Sequence, residues 1–127
     1  MTMPDERTKS LRWGYEVLGE LNADLEVPDD LRARAQAVCA GYPTPRTIQA
    51  LIASNARRLP ADMAEAIEAA RTLFVDIQLS GMGSAATRKS LLYTLRHFPP
   101  VGSARHAAEV GFPGGIELWV SAMDDPR

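Results

Sequence analysis

The sequence has little of what covalent or metal-centred chemistry requires. It contains one cysteine, Cys39, and two histidines, His97 and His106. A single cysteine excludes an intramolecular disulfide, and with two distant histidines it offers no metal-ligand spacing. We therefore expect no metal, no cofactor and no enzymatic activity. We interpret Cys39 as a small buried hydrophobe and His97 as a cap at the end of a helix, not as a general base.

A surplus of charge and long apolar runs are also missing. The 14 basic and 16 acidic residues leave a formal net charge of −2, so no global field draws the chain to nucleic acid or to a membrane surface. No apolar stretch has the length needed to span a bilayer, and the polar first residues lack the apolar run of a signal peptide. These features predict a cytoplasmic protein with no membrane partner.

Helical periodicity dominates what the sequence does contain, since apolar residues recur at intervals of three and four. Leu11, Tyr15, Leu18, Leu21 and Leu25 share one stripe in this way. Aromatic-Pro pairs then break the pattern, because proline disfavours helical geometry in the residue before it. The pattern predicts a first helix that carries this stripe, and further helices over about 29–41, over 44–58, from 60 to about 80, up to Phe98, and over about 103–110.

An internal repeat relates the two halves of the chain. A shift of 56 residues places the Tyr42-Pro43 break on Phe98-Pro99 without a gap, and Leu11 then meets Ile67. With this shift, residues predicted to face the core in the first half align with residues predicted to face the core in the second half, over three consecutive helices. Because a three-helix unit of this size is too small to bury its apolar faces alone, the two units are expected to share one core.

The predicted fold is therefore all-α, a compact bundle of about six helices formed by two tandem three-helix repeats. The first repeat covers residues 1–59 and the second covers residues 60–111. Residues 112–127 form an apolar C-terminal extension outside the repeat, and its stretch 116–123 fits a helix and a strand equally well.

Two short motifs carry a family resemblance. The chain opens with Met-Thr-Met-Pro-Asp-Glu-Arg-Thr at residues 1–8, and its second half contains Leu-Arg-His-Phe-Pro at residues 95–99. In these motifs it resembles a group of short, functionally uncharacterised bacterial proteins that end their second helix in Leu-Arg-His-aromatic-Pro. The resemblance covers residues 1 to about 52 and, more weakly, 62 to about 99. It implies a bacterial origin and no particular activity, and the duplication departs from the single unit typical of that group.

Aromatic residues outside the shared core pattern predict a binding role. Trp13 lies nearly opposite Leu11 on its helix, so it either packs against the second repeat or the C-terminal extension, or anchors a partner. Tryptophan is over-represented among the residues that dominate protein interfaces. The extension adds Phe112, Leu118 and Trp119 as further partner-binding candidates. The sequence thus predicts a non-enzymatic protein-interaction or regulatory accessory protein, which binds another protein or a second copy of itself.

The alternative is a DNA-binding transcriptional regulator that uses the helix predicted over 44–58. Side chains suited to base and phosphate contacts lie on its outer side: Arg46, Gln49, Asn55, Arg57 and Arg58. The slightly acidic balance of the whole chain makes this the second choice, because DNA-binding domains commonly have a basic surplus.

Overall fold

The computed structural model describes the backbone of residues 4–111 and the side chains of residues 10–111, and every regular element within them is a helix. The all-α prediction is confirmed for this part of the chain. Phe112, Leu118 and Trp119, together with the stretch 116–123, lie outside the described residues. The helices are α1 (Pro4–Ala23), α2 (Asp29–Gly41), α3 (Pro45–Ala53), α4 (Ala61–Ser80), α5 (Ala85–His97) and α6 (Ser103–Glu109).

Short polar side chains begin two of these helices. The Thr44 hydroxyl accepts a hydrogen bond from the backbone N–H of Thr47 at 3.1 Å, and Pro45 occupies the first turn of α3, where its missing N–H is harmless. Ser84 caps α5 in the same manner, with 3.2 Å between its hydroxyl and the backbone nitrogen of Thr87. The predicted limits of α2 are confirmed.

The prediction of a helix over 44–58 is wrong at its C-terminal end, because α3 stops at Ala53. Asn55 takes a left-handed backbone conformation, with φ of 56°, and ends the helix in a Schellman motif. Arg57 and Arg58 therefore follow α3 in an irregular connection and do not extend its outer face. Two backbone hydrogen bonds of 3.1 and 3.0 Å define the motif: Asn55 N–H to Ile52 O, and Ala56 N–H to Leu51 O.

The two long helices, α1 and α4, supply much of the core. α1 packs against α2, α3 and α5, whereas α4 packs against α2, α5 and α6. Full burial of a large apolar side chain stabilises a fold by about 1.5–3 kcal/mol, so these faces contribute strongly. The large buried side chains of the two helices are Leu11, Val17, Leu18, Leu21, Ile67, Leu73, Phe74 and Ile77.

Leu25, which was expected on the apolar stripe of the first helix, is instead 84% exposed, and Leu92 of α5 is also 60% exposed. α1 ends at Ala23, so Leu25 lies in the turn that follows and leaves the helical stripe. Leu92 follows the buried Leu91 on α5, and one residue step turns a side chain by about 100° around a helix.

The aromatic residues of the two proline breaks both lie against α1 in the core. Tyr42 donates a hydrogen bond from its hydroxyl to the backbone oxygen of Leu11 at 2.6 Å, and Phe98 packs edge-on against Phe74 with ring centroids 5.6 Å apart. A β-carbon placed on Gly14 would lie 2.5 Å from the Tyr42 hydroxyl oxygen and 2.9 Å from Cε1 of Phe98. Both rings therefore approach α1 closer than any side chain at this position would allow.

Asp24 joins the turn after α1 to the start of α5. Its carboxylate accepts hydrogen bonds from the backbone N–H of Ser84 at 2.9 Å, from the backbone N–H of Glu26 at 2.9 Å and from the Thr87 hydroxyl at 2.8 Å. The N–H of Ser84, followed by that of Glu26 and by the Thr87 hydroxyl, lowers the pKa of Asp24 from 3.8 to about 2. The carboxylate thus holds α5 against α1 in its ionised form.

We expect the stability that Asp24 contributes to be lost between about pH 4 and pH 2. In that window the unfolded chain binds a proton at this carboxyl while the folded chain does not, so falling pH favours unfolding. The difference in melting temperature between the wild type and Asp24→Asn should be largest above pH 4 and should shrink towards pH 2. Glu16→Gln, at an exposed carboxylate of α1, is the matched control. A difference that stays constant from pH 6 to pH 2 would contradict the assignment.

Candidate functional site

A groove of about 320 Å³ runs between α1 and α5, which we term the α1–α5 groove. Its lining residues are spaced along each helix so that they fall on a single face. The groove is therefore the seam where these two helices meet at the surface of the bundle. The residues that line it are Trp13, Glu16, Val17 and Glu20 from α1, and Lys89, Ser90, Tyr93 and Thr94 from α5.

Two aromatic rings form one end of the α1–α5 groove. Trp13 is half-buried and meets Tyr93 edge-on, with ring centroids 6.3 Å apart and an interplanar angle of 84°. Tyr93 remains 54% exposed. Three residues before Trp13, the buried hydroxyl of Ser10 donates a hydrogen bond to the backbone oxygen of Thr94 at 2.9 Å, which joins α1 to α5. The seam thus combines a buried hydrogen bond with an open aromatic surface.

Carboxylates dominate the α1 wall of the groove. Glu16 and Glu20 are exposed and lie one helical turn apart. On the α5 wall, the basic residue that lines the groove is Lys89. Within residues 10–111, the structure pairs neither glutamate with a basic side chain. An adjoining shallow depression shares Glu20 and adds Asp24 and Glu26, so the acidic surface continues past the end of α1.

The structure places the sequence-predicted site residues at separate parts of the molecule. Trp13 lines the α1–α5 groove and contacts α5, in the second half of the chain. Arg46 and Gln49 are exposed on α3, and Asn55 has a structural task in the Schellman motif. The exposed Arg57 and Arg58 lie beyond that motif, on the connection to α4, and none of these five residues lines the groove.

Sequence reasoning missed Tyr93, the second aromatic residue of the groove. Tyr93 lies off the inward stripe of α5, which contains Leu91 and Leu95, much as Trp13 lies off the stripe of α1. An aromatic residue outside the stripe was the pattern that singled out Trp13, so the same test applied to α5 would have found Tyr93. Glu16 and Glu20 form a row of carboxylates with Asp24, and such rows on helices are typically solvated faces, so they did not indicate a site.

Buried polar groups elsewhere in the bundle connect helices to one another. Ser10, Glu68 and Thr87 are buried, and each forms a hydrogen bond to a residue more than thirty positions away, which joins two parts of the fold.

No cluster of three histidine, cysteine or carboxylate side chains suited to a metal ion occurs in the described part of the chain. Among the helices of residues 4–111, none combines the length and apolarity needed to cross a membrane.

Comparison with known proteins adds no relative to this description. No protein-family model and no curated protein matches the sequence, and no solved structure matches the fold.

Proposed function

We propose that the protein is a non-enzymatic interaction or regulatory accessory protein, and that it binds a protein partner through the α1–α5 groove. One observation carries this proposal: two aromatic rings in contact with each other, Trp13 and Tyr93, line an open groove between α1 and α5. Tryptophan and tyrosine are enriched among the residues that supply most of the binding energy of protein interfaces.

The geometry of the aromatic pair supports an interface more than a packing defect. The 54% exposure of Tyr93 leaves a large apolar area in contact with water, although its ring is already held by Trp13. A partner that covered the pair would bury this area without reordering either ring, which lowers the entropic penalty of association. The charged rim formed by Glu16, Glu20 and Lys89 fits the usual pattern of an apolar centre within a polar border.

The proposal predicts a specific loss of capture when the aromatic surface is removed. The tagged full chain is used to capture proteins from the native host lysate, and the wild type is compared with Trp13→Ala and Tyr93→Ala. We expect a stoichiometric protein with the wild type, reduced about tenfold or more in both variants, as for interface residues of this kind. Leu79→Ala is the matched control, because Leu79 is a large apolar side chain of α4 that is 82% exposed and does not line the groove.

Two results would contradict this function. A partner retained equally by all variants would place the interface elsewhere on the molecule. Recovery that disappears after nuclease treatment would favour the alternative of a DNA-binding regulator, with Arg46 and Gln49 of α3 as its first candidates. Tyr93→Ala shows whether a loss of capture reflects a lost contact or a lost fold. The ring of Tyr93 is half-exposed and contributes less to the core than that of Trp13, so this variant is expected to fold.

We also propose that the bundle arose as two tandem three-helix repeats, with α1–α3 in the first and α4–α6 in the second. The packing supports this, because α1 and α4 each contact the second helix of both halves, α2 and α5. Residues related by the shift of 56 are buried together in both halves, as the following pairs illustrate: Leu11 and Ile67, Leu18 and Phe74, Leu21 and Ile77, Ala35 and Leu91, Tyr42 and Phe98. The resemblance to short bacterial proteins with one such unit is consistent with a duplication.

A further inference from the structure

The charges of the α1–α5 groove define its occupant more narrowly than the aromatic pair does. Glu16 and Glu20 stand on the α1 wall, and Glu26 extends the acidic surface into the adjoining depression. Lys89 opposes them as the cation among the groove's lining residues. The glutamates have no basic partner among the side chains of residues 10–111, so an approaching cation does not have to displace an existing ion pair.

The aromatic end of the groove favours cations as well. The faces of tryptophan and tyrosine rings attract ammonium and guanidinium groups, and arginine is the more frequent partner because its planar group stacks on the ring. Trp13 precedes Glu16 by three residues on α1, which places the ring and the carboxylate on neighbouring positions of one helix face. A guanidinium seated on Trp13 and Tyr93 is thus within reach of a carboxylate.

The spacing of the two glutamates selects the conformation of the occupant. Glu16 and Glu20 are one turn apart along α1, a rise of about 6 Å. Alternate side chains of an extended chain point to the same side and are separated by about 6.6 Å along it. A segment with basic residues at alternate positions therefore meets both carboxylates in register, whereas consecutive basic residues would direct every second charge away.

We infer that the α1–α5 groove binds an extended basic segment of the partner protein, with arginine side chains seated against Trp13 and Tyr93 and paired with Glu16 and Glu20. Lys89 keeps these cations on the α1 wall by repelling them from the α5 wall. This inference rests on the proposed function, which requires a partner at the groove but does not specify the partner's chemistry.

The probe that tests it is a fluorescently labelled peptide of about ten residues with alternating arginine and alanine, long enough to cover the groove in extended form. A peptide with glutamate in place of arginine is the charge-reversed control. Binding to the full chain is measured by fluorescence anisotropy, and the indole N–H resonance of Trp13 is followed by NMR after assignment with Trp13→Phe. We expect the arginine peptide to bind and to shift this resonance, and the glutamate peptide to do neither.

The double variant Glu16→Gln with Glu20→Gln should weaken binding of the arginine peptide about fivefold or more, with the loss diminishing as salt is raised. Asp30→Asn with Asp62→Asn removes the same charge from exposed positions outside the groove and should leave binding nearly unchanged. Equal loss in both double variants, or equal binding of the two peptides, would overturn the inference. So would self-association of the wild type that Trp13→Ala abolishes, because a second copy would then occupy the groove.

The outcome can be separated from that of the proposed function. If capture of a protein depends on Trp13 and Tyr93 but the arginine peptide does not bind, the interaction function is supported. The inference of a basic segment is then contradicted. Peptide binding that depends on Glu16 and Glu20, without aromatic-dependent capture from the lysate, would support the cation-binding groove and count against the broader function.

Discussion

Replacing Gly14 with alanine is expected to lower the free energy of unfolding by about 3 kcal/mol, a large effect for one added methyl group. The new β-carbon would lie 2.5 Å from the hydroxyl oxygen of Tyr42 and 2.9 Å from Cε1 of Phe98. Neither contact is with the end of a flexible chain. Both rings follow a helix end at a proline break and are buried, so relief of the clash requires movement of the core.

Two physical effects add in this prediction. Overpacking of a well-packed core typically destabilises by about 1–3 kcal/mol. Displacement of Tyr42 also weakens its 2.6 Å hydrogen bond to the backbone oxygen of Leu11, and a buried hydroxyl left without a partner adds about 1–3 kcal/mol. Burial, together with the nearby Cys39, raises the pKa of Tyr42 well above its ordinary value, so the hydroxyl remains a donor at neutral pH.

Gly19 provides a matched control on the same helix. A β-carbon at Gly19 would have no heavy atom within 4 Å, and the residue is exposed. Gly19→Ala should therefore raise stability by about 1 kcal/mol through helix propensity alone. Urea unfolding of both variants measures the contrast. If Gly14→Ala and Gly19→Ala changed stability equally, the close approach of Tyr42 and Phe98 to α1 would be wrong.

Local chemistry explains why several helix limits were predictable. Thr44 followed by Pro45 combines a capping hydroxyl with a residue suited to the first helical turn, and both signals depend only on neighbours in sequence. The end of α3 was missed for the opposite reason. Asn55 is a less frequent left-handed cap than glycine, and the basic Arg57 and Arg58 resemble residues that favour a helix C-terminus.

The exposure of Leu25 depends on where α1 ends, and the α1–α5 groove depends on which helices meet. Periodicity identified a stripe on α1, but it could not show that the helix ends before Leu25. The position of Trp13 outside that stripe could be predicted from the sequence. Its contact with Tyr93 could not, because the two residues lie more than seventy positions apart and meet only through the packing of α1 on α5. The role of Gly14 is of the same kind, because its neighbours Tyr42 and Phe98 belong to two different breaks.

Within residues 4–111, the final helix, α6, depends on a carboxylate supplied by α4. Glu68 is buried and accepts hydrogen bonds from the backbone N–H of Gly102 at 2.9 Å and of Arg105 at 3.3 Å. A negative group is favoured at a helix N-terminus, where backbone N–H groups lack partners within the helix. Since α6 has only seven residues, it is too short to be stable without tertiary contacts.

Glu68→Ala is therefore expected to lower the free energy of unfolding by about 2–4 kcal/mol, because two backbone donors lose their acceptor in a buried setting. Glu68→Gln keeps one acceptor oxygen and should cause about half that loss. Glu65→Ala is the control one turn away: its exposed carboxylate pairs with the Arg105 side chain at 2.7 Å, and solvent screening should make its effect much smaller.

Hydrogen exchange distinguishes a local role of Glu68 from a general loss of packing. If the carboxylate caps α6, amides of Ser103–Glu109 should exchange faster in Glu68→Ala at urea concentrations where α1 and α4 remain protected. Equal acceleration throughout the bundle would instead indicate that the methylene groups of Glu68, and not its hydrogen bonds, stabilise the fold. The two results separate cleanly because α6 packs mainly on α4, so its release leaves the contacts of α1 with α2 and α5 intact.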